Sequence, residues 1–178
     1  TLVNGQFVPD LSDMGGLEGK LKIVPLARAL AEQHPLAARI GKLKPESHDP
    51  TFALNTAFLS DGLLIEIGEG AALDRPIWIR HIFAGSEAAA TFVRNLVMTG
   101  AGANATLFES FEGPEGIAYQ VNSALELHVA DRANLSFVRL QAEGEAALHL
   151  STLLAAVGSG AEIAYSGLTT GASVSRQN

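Results

Sequence analysis

With 12 basic against 19 acidic side chains in 178 residues, a formal net charge of −7, the chain has no concentrated basic face, which argues against nucleic acid and anionic membrane as partners. It contains no cysteine, so disulfides, thiol redox chemistry, a cysteine nucleophile and thiolate metal ligation are excluded within these residues. A hydrophobic content of 47% supports one packed domain, no stretch approaches the ~18 apolar residues that cross a bilayer, and the absence of a basic, then hydrophobic, start predicts no signal peptide and a cytoplasmic protein.

In chain order, Thr1 to Val8 carries a hairpin signal at Asn4-Gly5. Pro25 then opens a helical pattern through Leu26, Ala29, Leu30 and Gln33; Pro35 interrupts it, and Leu36 to Ile40 adds another turn. Asp49 followed by Pro50 starts a short helix ending near Phe58. Residues 1–58 are expected to form a small α-containing cap over the exposed end of the strand-rich remainder of the chain, because an open strand edge recruits other chains.

From residue 59 onward the pattern changes. Four short turns end in Ala71, Ala103, Ala133 and Ala161, which lie 32, 30 and 28 residues apart. Counting by twos from each alanine gives Ile65, Val97, Leu127 and Ala155 as one equivalent set, and Leu73, Ala105, Leu135 and Ile163 as another. Positions of the opposite parity beside the turn are small or polar, as in strands with one buried face. Like residues at like positions in units of about thirty residues favour a parallel β-helix over a β-sandwich, whose strands also come at regular but shorter intervals. Residues 59–178 are therefore assigned to β-helix coils. Ser175 to Asn178 follow a strand with no capping element, so the chain is expected to be a piece of a longer solenoid, or to cover its last coil with a partner or a second copy.

Beyond the turns both parities are apolar. Ile77, Ile79, Phe83 and Phe111 lie on one, Trp78, Ile82, Phe108, Val138, Leu140 and Leu168 on the other. Strands apolar on both sides are covered on both sides, by the chain's own helices or by another subunit. Leu64, Leu96, Met98, Leu140 and Leu168 are the candidate interface positions.

Four polar residues on inward parity are singled out. Glu109 and Arg139 occupy equivalent positions of successive units and are expected to pair; Gln141 and His149 are the other members of a candidate interior polar track, with structural pairing the favoured role. His128 has outward parity beside Glu126 and is expected to be solvated. The five histidines, His34, His48, His81, His128 and His149, show no metal-ligand spacing. No Gly-x-Gly precedes a helix, so nucleotide binding is not expected, and no nucleophile–histidine–acid order or carboxylate pair stands out. The residues favour a structural or binding module. The alternatives are a β-helical carbohydrate-active enzyme, an acyltransferase, whose strict six-residue repeat is not seen, and a plain oligomerising β-module.

Several segments together resemble the SufD branch of the SufB/SufD family. They are Val3 to Val8, Ala53 to Phe58 running to Gly62, Arg94 to Val97, Ala105 to Ser110, Val138 to Glu143 with Ala147 to Leu150, and Gly171 to Arg176. The resemblance implies a right-handed parallel β-helix in a non-catalytic scaffold of the SUF system of iron-sulfur cluster assembly, partnering a SufB-like subunit and a SufC-like ATPase. Relative to the family this chain lacks the leading helical region, the later coils and the C-terminal helical segment tied to the ATPase. The family's cluster-handling histidine belongs to that missing part and is not carried onto His128 or His149. For Arg139 and Gln141 the resemblance implies the lining of an interior path for sulfur or electrons. Without thiolates this chain alone is expected to bind no cofactor, holding an iron-sulfur cluster only together with its partners.

Overall fold

The computed structural model describes residues 1–15, 19–43 and 49–178; His48 lies outside them. Strands β1 (Leu2–Val3) and β2 (Gln6–Phe7) are followed by a 3-10 turn, Pro9–Leu11. Next come β3 (Leu21–Pro25), helix α1 (Leu26–Ala31), a 3-10 segment Pro35–Arg39 and helix α2 (Pro50–Phe58). The coils run through β4 (Leu63–Ile67), β5 (Ile77–Ile82), β6 (Ala90–Thr99), β7 (Asn104–Glu112) and β8 (Gln120–Val129). They continue through β9 (Asn134–Glu143), β10 (Leu148–Val157), β11 (Glu162–Gly171) and β12 (Val174–Gln177).

Successive coil strands fall alternately into two six-stranded sheets, ordered β11-β9-β7-β5-β1-β2 and β12-β10-β8-β6-β4-β3. Within each sheet the coil strands pair in parallel with the strand one coil away, giving a parallel β-helix of about four turns. The inward set is in register: Ile65 opposes Val97, Val97 opposes Leu127, and Leu127 opposes Ala155. Ile65, Val97 and Leu127 are almost fully buried, in a core with Leu107, Leu125, Leu135 and Phe137.

The four turns stack as the coils do. In each, the alanine N–H donates to the carbonyl three residues back, and the residue before the alanine adopts positive φ: 63° at Gly70, 66° at Gly102, 57° at Arg132 and 65° at Gly160. That residue also donates to the turn above, Gly70 to Ala101, Gly102 to Asp131 and Arg132 to Ser159, each at 2.9 Å. Arg132 is the one non-glycine in this left-handed position, where a Cβ meets the following carbonyl. Arg132→Gly is expected to raise stability by about 0.5–1 kcal/mol, the relief exceeding the entropy glycine adds to the unfolded chain; urea titration of both proteins checks it.

The N-terminal segment closes the first coil by pairing strands. The β1–β2 hairpin, with Asn4 and Gly5 both at positive φ, docks β1 parallel to β5, and β3 lies antiparallel on β4. The helices lie elsewhere, on the outer face of the β4-containing sheet. Leu26, Ala29 and Leu36 bury Leu64 and Leu96, with Met98 partly covered beside them. The candidate interface positions Leu64 and Leu96, at 0% and 1% exposure, are therefore corrected to internal packing positions, because the chain's own helix occupies the face they present. Leu140 is half-buried and Leu168 61% exposed on the outer face of the other sheet, beside Val138 and Trp78.

Polar groups on the flank reinforce this docking. Asp61 accepts from Ala27 N–H in the first turn of α1 at 2.8 Å, where Pro25 supplies no side-chain cap. Asp49 caps α2, accepting from Thr51 N–H at 2.9 Å. Helix α2 turns Asn55 inward, donating to Val93 O and Asn122 O at 2.9 and 3.0 Å, and leaves Leu54 and Phe58 exposed. The Arg94 guanidinium, under Phe52, donates to Asn55 Oδ1.

Candidate functional site

Strands β5, β7 and β8 carry an inward sequence that runs apolar, polar, apolar. On β5 it is Ile77, Ile79, His81 and then Phe83; on β7, Leu107, Glu109 and Phe111; on β8, read backwards, Leu127, Leu125, Ser123 and Val121. The apolar ends belong to two different clusters, the main core and a second one of Phe83, Phe111, Tyr119, Val121 and Ala147. A polar row crosses the coil interior between them.

Glu109 sits at its centre, 1% exposed. One carboxylate oxygen accepts from Arg139 Nε and Nη2 at 3.0 and 2.7 Å, the other from Asn95 Nδ2 at 3.2 Å and lies 3.2 Å from His81 Nε2. A carboxylate partner requires the hydrogen of His81 on Nε2. Burial alone would raise the Glu109 carboxyl, but the Arg139 charge and the His81 contact outweigh it and hold the group at about 2. The carboxylate is thus charged across the physiological range, and its charge is neutralised inside the coil. Asn95 Oδ1 in turn accepts from Leu63 N–H at 2.9 Å.

Aromatic rings link this cluster to a second one. His81 stacks on Phe111 at 4.4 Å, and Phe111 meets the edge of His149 at 4.6 Å. His149 Nδ1 is 2.7 Å from Glu143 Oε2. Gln141 Oε1 accepts from Ser175 Oγ at 2.7 Å. Among the described residues, six buried side-chain polar atoms have no protein partner, and five of them, Arg139 Nη1, Gln141 Nε2, Glu143 Oε1, His149 Nε2 and Ser123 Oγ, lie here.

All four expected interior residues lie here, and Glu109 and Arg139 pair as their register dictates. His81, Asn95 and Glu143 were missed. Asn95 is the one polar member of an otherwise apolar ladder with Leu63, Leu125 and Leu153, and His81 and Glu143 both stand ten residues past a turn alanine, on inward parity; those were the available signals. Outside the coil, the expectation for Glu126 and His128 needs correction. Glu126 is fully buried, accepting from Gly41 N–H with both oxygens at 2.8 and 3.0 Å, 3.9 Å from Arg94. Burial raises its carboxyl above the usual range. His128 is half-buried, and burial, then the Arg39 charge, lowers it. Both changes follow from the N-terminal segment covering this face. Among the described residues no three His, Asp or Glu side chains come together as a metal site.

Comparison with known proteins accounts for this architecture. The SUF system FeS cluster assembly SufBD core domain matches residues 81–178. The chain belongs to the SufBD family. The SufBD N-terminal region matches residues 1–79, so together the two models take in both the segment that closes the first coil and the coils with the polar row. An iron-sulfur cluster assembly SufBD family protein of Synechocystis sp. is 23% identical over 185 residues, covering 99% of this chain and 41% of the relative. The SufBD chain described here thus spans about two fifths of that relative's length. No helix among its described residues is long and apolar enough to cross a membrane.

Proposed function

We propose that this SufBD chain serves as a SufD-type, non-catalytic scaffold subunit of iron-sulfur cluster assembly in the cytoplasm, acting with a SufB-like subunit and a SufC-like ATPase. The observation that carries the reading is the pairing of family membership with a cysteine-free sequence. With no thiolate among them, these residues can contribute shape and a polar interior, and leave thiolate ligation of a cluster to residues outside them. The buried ionisable groups fit that role. Glu109 is clamped between Arg139 and His81, and Glu143 faces His149, so these carboxylates serve fixed partners in the coil wall. Lining of an interior path by Arg139, Gln141 and His149 is part of the same proposal.

Anaerobic reconstitution with iron and sulfide tests it. The chain alone is expected to gain no stable visible chromophore, and a mixture with a SufB-like partner is expected to gain one. One cluster per chain without a partner would overturn the scaffold reading. The outer row of Trp78, Val138, Leu140 and Leu168 is the surface offered for partner or self-association. Leu168→Lys, which places a charge on that face, is expected to weaken capture of the partner in a pull-down while leaving the melting temperature unchanged.

A further inference from the structure

We propose that the polar row is not sealed: a gap on the flank of the coil binds a water molecule that joins the His81–Glu109 pair to the Glu143–His149 pair and gives His81 access to solvent. The gap has a volume of about 10 Å³, and its lining includes Gly5, His81, Thr91, Phe111, Val121 and Glu143. That is about the smallest space that holds one water molecule. Thr91, on inward parity, is only half-buried, so the gap reaches the surface past it.

The chemistry of the lining selects the occupant. Glu143 Oε1 is an unpartnered oxygen on a side chain only 3% exposed, which is costly unless a donor reaches it. His81 has its Nε2 committed to Glu109, leaving Nδ1 as the nitrogen free to accept. Water donates to both. An anion would face the charge of Glu143, and a metal ion would need a third ligand that the described residues do not bring. The other charged groups around the gap are already engaged: Glu112 with Arg80 on the outer face, Glu109 with Arg139 across the row. The Tyr119 phenol, pushed up to about 12 by burial and by the Glu143 charge, stays protonated and accepts from Gly144 N–H. The gap is therefore the route by which a proton can reach the row, with His81 as the first group it meets.

Exchange of the histidine Cε1 hydrogen for deuterium, followed residue by residue by mass spectrometry on the full-length protein, tests this. His81 and His149 are both more than nine-tenths buried, so equal slow exchange is the outcome for a sealed interior. The proposal expects His81 to exchange several-fold faster than His149. It also expects Thr91→Tyr, which fills the mouth, to bring His81 down to the rate of His149. A crystal structure is expected to show one ordered water bonded to Glu143 Oε1 and His81. Equal rates in the natural protein overturn the proposal, whatever the variant does; a fast His81 that ignores a folded Thr91→Tyr protein, or a gap without that water, overturns it as well.

Discussion

Replacing Arg139 by methionine is expected to destabilise the protein by about 3–5 kcal/mol, because it leaves the Glu109 carboxylate buried with its cation removed. Methionine fills most of the space under Phe137 and Phe111, where the guanidinium now lies 5.3 and 5.7 Å from the ring centres, so the loss measures charge rather than a cavity. Pairing it with Glu109→Gln should recover much of the stability, since the double variant buries no unpaired charge. Urea denaturation of the two single variants and the double variant gives the coupling. The pH dependence follows from the same group. Its folded carboxyl is held at about 2, below the ordinary value of 4.5, so its contribution, on the order of 3 kcal/mol, is complete above about 4.5 and is lost as the pH falls through about 2. The Arg139→Met protein should show a smaller loss over that acid window.

The second large effect is expected at Leu127, fully buried and opposed in register by Val97 and Ala155. Leu127→Ala should cost about 2–5 kcal/mol, the transfer term plus a cavity that two neighbouring coils cannot close without breaking their own register. Thermal or urea unfolding measures it. A cost below about 1 kcal/mol, the level of a surface change, would mean that Leu127 does not stand in the inward stack.

The coil was legible in the sequence because its physics is local and repeated. The turn alanines and the left-handed residue before each of them recur at nearly constant spacing, and parity from that point places Leu127 inward and Glu109 beside Arg139. The helices were legible as elements, through Pro25, Asp49 and Pro50, but their docking was not. Leu26 meets Leu64 across thirty-eight residues of sequence, and nothing in either segment alone specifies the meeting. Helix α2 defeats an amphipathicity argument outright, since it buries Asn55 and exposes Leu54 and Phe58; hydrogen bonds to Val93 and Asn122, rather than apolar area, set its rotation. The polar row was half legible. A pair on one ladder, Glu109 and Arg139, can be read from register. His81 joins Glu109 diagonally, from the neighbouring strand, and Asn95 reaches it from the opposite sheet, contacts that parity permits but does not specify.

Co-purification of the full-length protein with its cellular neighbours under anaerobic conditions tests the central claim most directly. The scaffold reading predicts that a SufB-like subunit and a SufC-like ATPase elute with it in fixed stoichiometry, and that cluster absorbance follows the complex. Recovery of the full-length protein free of both, with cluster formation in the cell unaffected by its removal, would contradict it.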